Sequence, residues 1–247
     1  MASNSHGLLR EFYDRTAERF WDPAEGPIGR DLEVLPLLSD CHGTVMEYGF
    51  GSGSLLFTIA QKNWFSAVIG VDLSPVLVQR GREALAGIAD PWARRVQLVQ
   101  TEDDHVPSVA TGSLDAIVSV ATLEHTLDPY RVLDEFHRMS RPRGTLICSV
   151  PNYAYLKHRL TLLLGNLPRT GTDAPVERWR DCGWDGMHLH TFTQSSFETL
   201  LKSCGWTPVT WHGWGEKWPV LRPLRSRFPG ILSGELIARC QRSDGVP

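Results

Sequence analysis

Several features that would place a chain in a narrow class are missing. The five cysteines (41, 148, 182, 204 and 240) form no C-x-x-C pair and leave one over, so neither a disulfide framework nor a zinc site is indicated, and reduced thiols are expected. There is no excess of either charge: the net value of −3 offers no general attraction to nucleic acid and leaves only a local basic patch open. No apolar run approaches the ~20 residues that span a bilayer. The first seven residues lack the basic and apolar regions of a signal peptide. These absences point to a cytoplasmic protein with no membrane span and no nucleic-acid partner. At 247 residues the chain is long enough for one α/β domain with an appendage.

What is present is organised around Val45-Met46-Glu47-Tyr48-Gly49-Phe50-Gly51-Ser52-Gly53-Ser54. A short apolar run, an acid, three alternating glycines and an apolar stretch read as strand, tight turn and helix start. Nineteen residues beyond Gly53, the run Ala67–Val71 ends at Asp72, where an acid closing the second strand of a βαβ unit can accept hydrogen bonds from ribose hydroxyls. The dinucleotide fingerprint G-x-G-x-x-G is incomplete, because Ser54 holds its third glycine position. Glu47 would repel a pyrophosphate and would tolerate a cationic ligand.

The stretch Glu47–Gly53 resembles motif I of class I S-adenosylmethionine-dependent methyltransferases. Downstream segments extend the resemblance over about residues 40 to 153. Ala121-Thr122-Leu123-Glu124-His125-Thr126-Leu127-Asp128-Pro129 is similar to the Leu-Glu-His and Asp-Pro stretch of a subgroup that modifies small molecules, and Arg141–Thr145 resembles its Lys-Pro-Gly-Gly turn. The resemblance implies a Rossmann-like, seven-stranded, mostly parallel sheet of order 3-2-1-4-5-7-6, with helices on both faces. It implies S-adenosylmethionine as cofactor, bordered by Tyr13, Glu47, Gly49, Gly51, Gly53, Asp72, Leu73, Glu102, Asp103 and Val120. Glu102 is put on the adenine amino group by spacing back from Pro107, with Asp103 next to it.

The apolar spacing of residues 8 to 20 predicts an N-terminal helix; it resembles the Tyr-bearing helix of these methyltransferases, which implies that Tyr13, with Trp21, closes over the cofactor, and simple packing on the sheet is the alternative. A second helix is expected over 29–39, so that residues 1–40 cover the site. The long connection 153–190 reads as an inserted substrate cap. Six of the nine tryptophans follow residue 178, which suggests an aromatic pocket, or a flat surface for a homodimer or protein partner, besides core packing. Lys157, His158, Arg159 and Arg169 either hold an anionic substrate group or form a solvated helix face.

A base is needed only where the methyl acceptor is a neutral hydroxyl, thiol or acidic carbon. His125 is the first candidate, with His190 and His188 as alternatives; each is equally readable as a packed or loop-orienting histidine. Glu124 offers a contact to a substrate hydroxyl. Ubiquinone-type O-methyltransferases carry a further acid three residues before this Glu, where Ala121 stands here. One carboxylate plus one histidine is a small donor set, and no metal is assigned. The expected function is methylation of a small molecule on oxygen, in secondary metabolism or a quinone- or glycan-type pathway. Partial similarity of 152–169 and 228–235 to the methionine-biosynthesis W proteins keeps open a second role, as an accessory protein acting through a partner. RNA or protein methylation is disfavoured by the lack of a basic stripe and of an Asn/Asp-Pro-Pro-aromatic motif.

Overall fold

The computed structural model describes residues 2–20, 26–27, 29–172, 174–215 and 222–243; Trp21 and Trp218 lie outside them. Seven strands form one sheet: β1 (Gly43–Tyr48), β2 (Phe65–Asp72), β3 (Val96–Gln100), β4 (Leu114–Val120), β5 (Ser140–Pro151), β6 (Trp206–Trp214) and β7 (Glu235–Arg242). Their order is 3-2-1-4-5-7-6, as expected, with β7 antiparallel to β5 and β6 and the other pairs parallel. Helices α1 (Ala2–Phe20), α2 (Ser54–Gln61), α3 (Pro75–Ala86), α4 (Pro129–Met139), α5 (Leu156–Leu163) and α6 (Gln194–Ser203) accompany the sheet.

The central strands are covered on both faces, so their apolar residues run together without alternation. Met46, Ile117 and Leu146 pack on one side with Phe136, Phe197 and Trp206. Their neighbours Val45, Val118 and Ile147 pack on the other with Leu56, Ile59 and Phe65. Trp206 is fully buried and donates its indole N–H to the Leu133 carbonyl at 3.1 Å, so its one polar atom is satisfied inside the core. Caps written in the sequence begin the helices. Ser74 accepts from Leu77 N before Pro75, Asp128 from Tyr130 N and Arg131 N before Pro129, and Thr193 forms a capping box with Ser196.

Two expectations change. The helix over 29–39 is a single α-turn (Asp31–Val34) continued by a 3-10 turn (Leu35–Leu38), because Pro36 brings no N–H and breaks the run. Residues 141–145 belong to β5: Leu114 pairs with Ser140 but Ala116 with Thr145, so the extra residues bulge out of the ladder, with Arg143 at φ 62°. The sheet order reverses between β1 and β4. The crevice beyond their carboxyl ends is where an open α/β sheet takes its ligand.

Candidate active site

At the end of β1, Gly49 N and Phe50 N both donate to the Val71 carbonyl, at 2.7 and 3.3 Å, tying the glycine loop to β2. Gly49 adopts φ 76°, and a Cβ there would fall 2.5 Å from the Thr122 side chain, so the loops after β1 and β4 touch. Gly51, at φ 48°, has open space where a Cβ would stand, and its N–H donates to Asp72 Oδ2 at 3.0 Å. The other Asp72 oxygen accepts from Ser74 N at 2.9 Å. Burial lifts the Asp72 carboxyl to about 6, against the pull of the Ser74 and Gly51 N–H groups.

Glu47 is buried with Oε2 unpartnered, and burial followed by the charges of Asp31 and Asp72 raises its pKa well above the carboxylate range. The Tyr13 hydroxyl is also buried without a partner. Its pKa is raised by burial first and then by Glu124 and Asp72. Helix α1 is held here by Ser74, whose hydroxyl donates to Asp14 at 2.6 Å, and by His6, which lies 3.4 Å from Asp104. A bare backbone at Gly51, an acid ending β2 and two orphaned polar groups suit a ligand with a ribose and a cationic end. The residues present therefore fit S-adenosylmethionine.

Beyond β4, Ala121 is held at φ 47°, a left-handed conformation unusual for a residue with a Cβ, and a 3-10 turn (Leu123–His125) follows. This turn buries Glu124 completely, with neither carboxylate oxygen hydrogen-bonded. Burial first, then the charge of Glu235, pushes Glu124 up to about 8. The His125 ring places Nδ1 3.0 Å from the Met187 carbonyl, so Nδ1 carries the proton and Nε2 the lone pair. Burial and then the neighbouring His188 depress His125 to about 4, so the ring is neutral near pH 7.

His188 arrives from the connection 153–190. Leu189 N and His190 N donate to the Glu124 carbonyl at 2.7 and 3.1 Å, which pins this segment beside the turn. Thr170 donates its hydroxyl to Asp185 at 2.7 Å and lies 2.8 Å from His188 Nδ1, so it accepts the Nδ1 proton and leaves the Nε2 lone pair free. His188 Nε2 is 3.9 Å from Glu124 Oε1, and the His125 and His188 rings meet edge to face at 4.8 Å. On another wall, Glu235 at the start of β7 accepts from Ser149 at 2.8 Å and from Arg30 at 3.1 Å.

These groups border one cavity of about 770 Å³, within the usual range of small-molecule sites. Of the residues expected at the site, Tyr13, Glu47, Gly49, Gly51, Asp72, Leu73, Asp103, Val120, Glu124, His125 and His188 line it. Gly53, Glu102 and His190 do not. Gly53 caps α2 with φ 78°. Glu102 is exposed: the Thr101 hydroxyl bonds the carbonyls of Asp103 and His105, and the turn so formed directs Asp103 and Asp104 inward. His190 faces the Thr126 carbonyl, 2.9 Å from Nε2, and orients the loop.

Lys157, His158 and Arg169 reach the cavity, whereas Arg159 bonds the Ala154 carbonyl from an exposed position. The late tryptophans divide: Trp206 is core, Trp211 packs partly buried against it, Trp214 lines the cavity and Trp179 is buried, while Trp184 is exposed. Trp214 falls among the late tryptophans read as an aromatic pocket, whereas Arg30, Asp31, Asp104 and Glu235 were missed by the sequence argument. They stand in no motif and meet the site only through the fold. Among the described residues no helix is long and apolar enough to cross a membrane.

Residues 3–210 match a family profile described as a methyltransferase domain. The ubiquinone biosynthesis O-methyltransferase of Pseudomonas paraeruginosa is 26% identical over 168 residues, covering 62% of this chain and 66% of that protein. The chain thus spans slightly under two thirds of that relative's length. A Thermotoga maritima S-adenosylmethionine-dependent methyltransferase described as a possible histamine N-methyltransferase superposes with TM-score 0.63 at 16% identity, over 94% of this chain and 99% of that one. A structure described as a complex between the Haloferax volcanii Trm112 methyltransferase activator and a methyltransferase gives TM-score 0.59 at 15% identity, over 96% and 97%. At these identities the structures speak for the fold.

Proposed function

The chain belongs to the methyltransferase-domain family, whose cofactor is S-adenosylmethionine, and on that premise we propose that it methylates a small molecule on oxygen. One observation carries this reading: a single cavity joins the Glu47–Asp72 end to the Glu124–His125–His188 end. The first suits the cofactor and the second an acceptor that must lose a proton. The ubiquinone biosynthesis relative acts on oxygen and supports a quinone-type or secondary-metabolic acceptor.

In this reading Asp72 takes the ribose hydroxyls, while Glu47 and Tyr13 hold the amino-acid end. Asp103 and Asp104 flank the adenine, and Leu73 and Val120 supply apolar walls. When bound, S-adenosylmethionine supplies a methyl group already activated on a sulfonium. The protein's share is therefore orientation, exclusion of water and removal of the acceptor's proton. The free Nε2 of His125 is the group set to take that proton, with Glu124 beside it to stabilise the charged ring. Helix α1 and the cap close the cavity from two sides.

The test is calorimetric titration of the full chain with S-adenosylmethionine, S-adenosylhomocysteine and NAD, followed by methyl-release assays on hydroxylated acceptors. Binding of the first two without NAD supports the reading, and NAD binding overturns it. A second reading, an accessory protein acting through a partner, draws on the cap helix. Leu160, Leu163 and Leu164 on or just after α5 are 49%, 82% and 77% exposed. Cofactor binding with no turnover on any acceptor, together with a stable complex with a partner protein, would favour it.

A further inference from the structure

His125 is held from outside its own turn. Its ring meets Tyr13 of α1 edge to face at 6.0 Å and His188 at 4.8 Å, and its Nδ1 lies 3.0 Å from the Met187 carbonyl. That carbonyl belongs to a run of three left-handed residues: Asp185 at φ 44°, Gly186 at φ 68° and Met187 at φ 67°. Asp185 and Met187 carry a Cβ, so the run is strained and persists only because its surroundings hold it. The Asp185 side chain ties it down. Buried at 7% exposure, it accepts from Thr170 N at 3.0 Å, Gly171 N at 3.1 Å and the Thr170 hydroxyl at 2.7 Å. The same hydroxyl lies 2.8 Å from His188 Nδ1. Gly171 and Gly186 let the two passes of the chain touch, since a Cβ on either would overlap the backbone of the other pass.

We propose that Asp185 is a positioning residue for methyl transfer: by holding the 185–187 turn it fixes the His125 proton on Nδ1 and leaves the lone pair on Nε2. Asp185 does not itself border the cavity, and it acts through Met187, Thr170 and His188. An imidazole released from the Met187 carbonyl can carry its proton on either nitrogen, and a ring with the proton on Nε2 has no lone pair there for an acceptor's proton. The titratable and charged groups around His125 are Tyr13 from α1, His188 from the connection 153–190, Glu124 on its own turn and Arg30 from the segment before β1. Burial first and then His188 hold the ring at about 4. Both causes weaken when the 185–187 turn loosens, and the ring then returns toward its ordinary value of about 6.5. The base is therefore kept neutral and in the right tautomer by a carbonyl 62 residues further along the chain. This inference rests on the proposed methyltransferase function, since it concerns the base of that reaction.

The experiment uses the full chain with isotope-labelled histidine. Ring-nitrogen NMR, assigned by the signals that His125→Gln removes, reads the His125 tautomer without turnover. The pH profile of kcat is followed in parallel at saturating S-adenosylmethionine, on an acceptor found by methyl release. Wild type should carry the His125 proton on Nδ1 and keep kcat level down to about pH 5. Asp185→Ala should populate the other tautomer and lower kcat by about 10-fold at unchanged KM for S-adenosylmethionine. It should also move the acidic limb of the profile up by about one pH unit or more. Asp185→Asn, which keeps one acceptor oxygen, should recover most of both. Thr170→Val, which removes only the hydroxyl between Asp185 and His188, should shift tautomer and limb the same way, and it decides should Asp185→Ala fail to fold. Folded variants whose His125 tautomer and acidic limb match the wild type overturn the proposal even where kcat has fallen, because a merely structural loss leaves both in place. Failure of the wild-type chain to bind S-adenosylmethionine in calorimetry counts against the methyltransferase reading instead, and the tautomer still decides what Asp185 does.

Discussion

The two ends of the cavity are built in different ways. The end proposed for the cofactor is laid down by consecutive units: Glu47 and the glycine loop close β1, Asp72 closes β2, and Asp103 follows β3. Much of its chemistry is backbone, fixed by hydrogen bonds such as Gly49 N to Val71 O and Gly51 N to Asp72. The end proposed for the acceptor is assembled from distant segments: Arg30, the turn holding Glu124 and His125, His188 of the connection 153–190, Trp214 ending β6 and Glu235 opening β7. Side chains carry its chemistry, and they are held by Asp185, Thr170 and the Glu124 carbonyl. A shared ligand calls for a stereotyped backbone cradle, whereas an acceptor site can be drawn from whatever the connections bring near.

If the two ends are separable, variants should sort by what they change. The largest effect is expected for His125→Ala, with turnover lowered by about 100-fold or more at unchanged cofactor affinity. Steady-state kinetics alongside calorimetry would check this, and a loss of cofactor affinity of the same size would merge the two ends. Next, Asp72→Ala should weaken S-adenosylmethionine by roughly 1–3 kcal/mol through the lost charge-assisted bonds. Equal affinity in wild type and variant would remove Asp72 from the cofactor end.

A smaller effect is expected for Asp185→Ala, which takes the acceptor from Thr170 N, Gly171 N and the Thr170 hydroxyl. Cap ordering should fall by about 1–2 kcal/mol, seen as faster hydrogen exchange over 170–190, with cofactor binding kept. The smallest signal is a pH dependence. The Asp72 carboxyl rises from 3.8 to about 6 on folding, so the folded chain binds more protons than the unfolded chain across that window. Stability of the ligand-free protein therefore falls as pH rises through it. Melting wild type and Asp72→Ala at pH 4 and 7 should show the Asp72-dependent part of this loss in the wild type alone.

Legibility in the sequence follows the same division. Strands covered on both faces left uninterrupted apolar runs, and the caps at Ser74, Asp128 and Thr193 marked helix starts, so the order of elements could be read directly. The loop after β3 is where spacing and structure part. An acidic run contains several candidates, and the Thr101 turn, which spacing does not encode, turns Glu102 outward and Asp103 inward. His188 and His190 were equivalent as letters. The carbonyls of Glu124 and Thr126 separate them, one ring entering the cavity and the other bonding the loop. Arg30 and Glu235 form an ion pair across 205 residues and left no local signal.

The sequence by itself determined the run of strands and helices, the glycine cradle and the Glu47–Asp72 pair, because each depends on periodicity or on residues close together in the chain, while the order of the strands in the sheet came from the family resemblance. Only the tertiary structure decided that Glu124 is buried without a partner and that His188 joins it. Burial and the meeting of segments 64 residues apart arise from packing the cap against the turn after β4, and no local pattern records that packing.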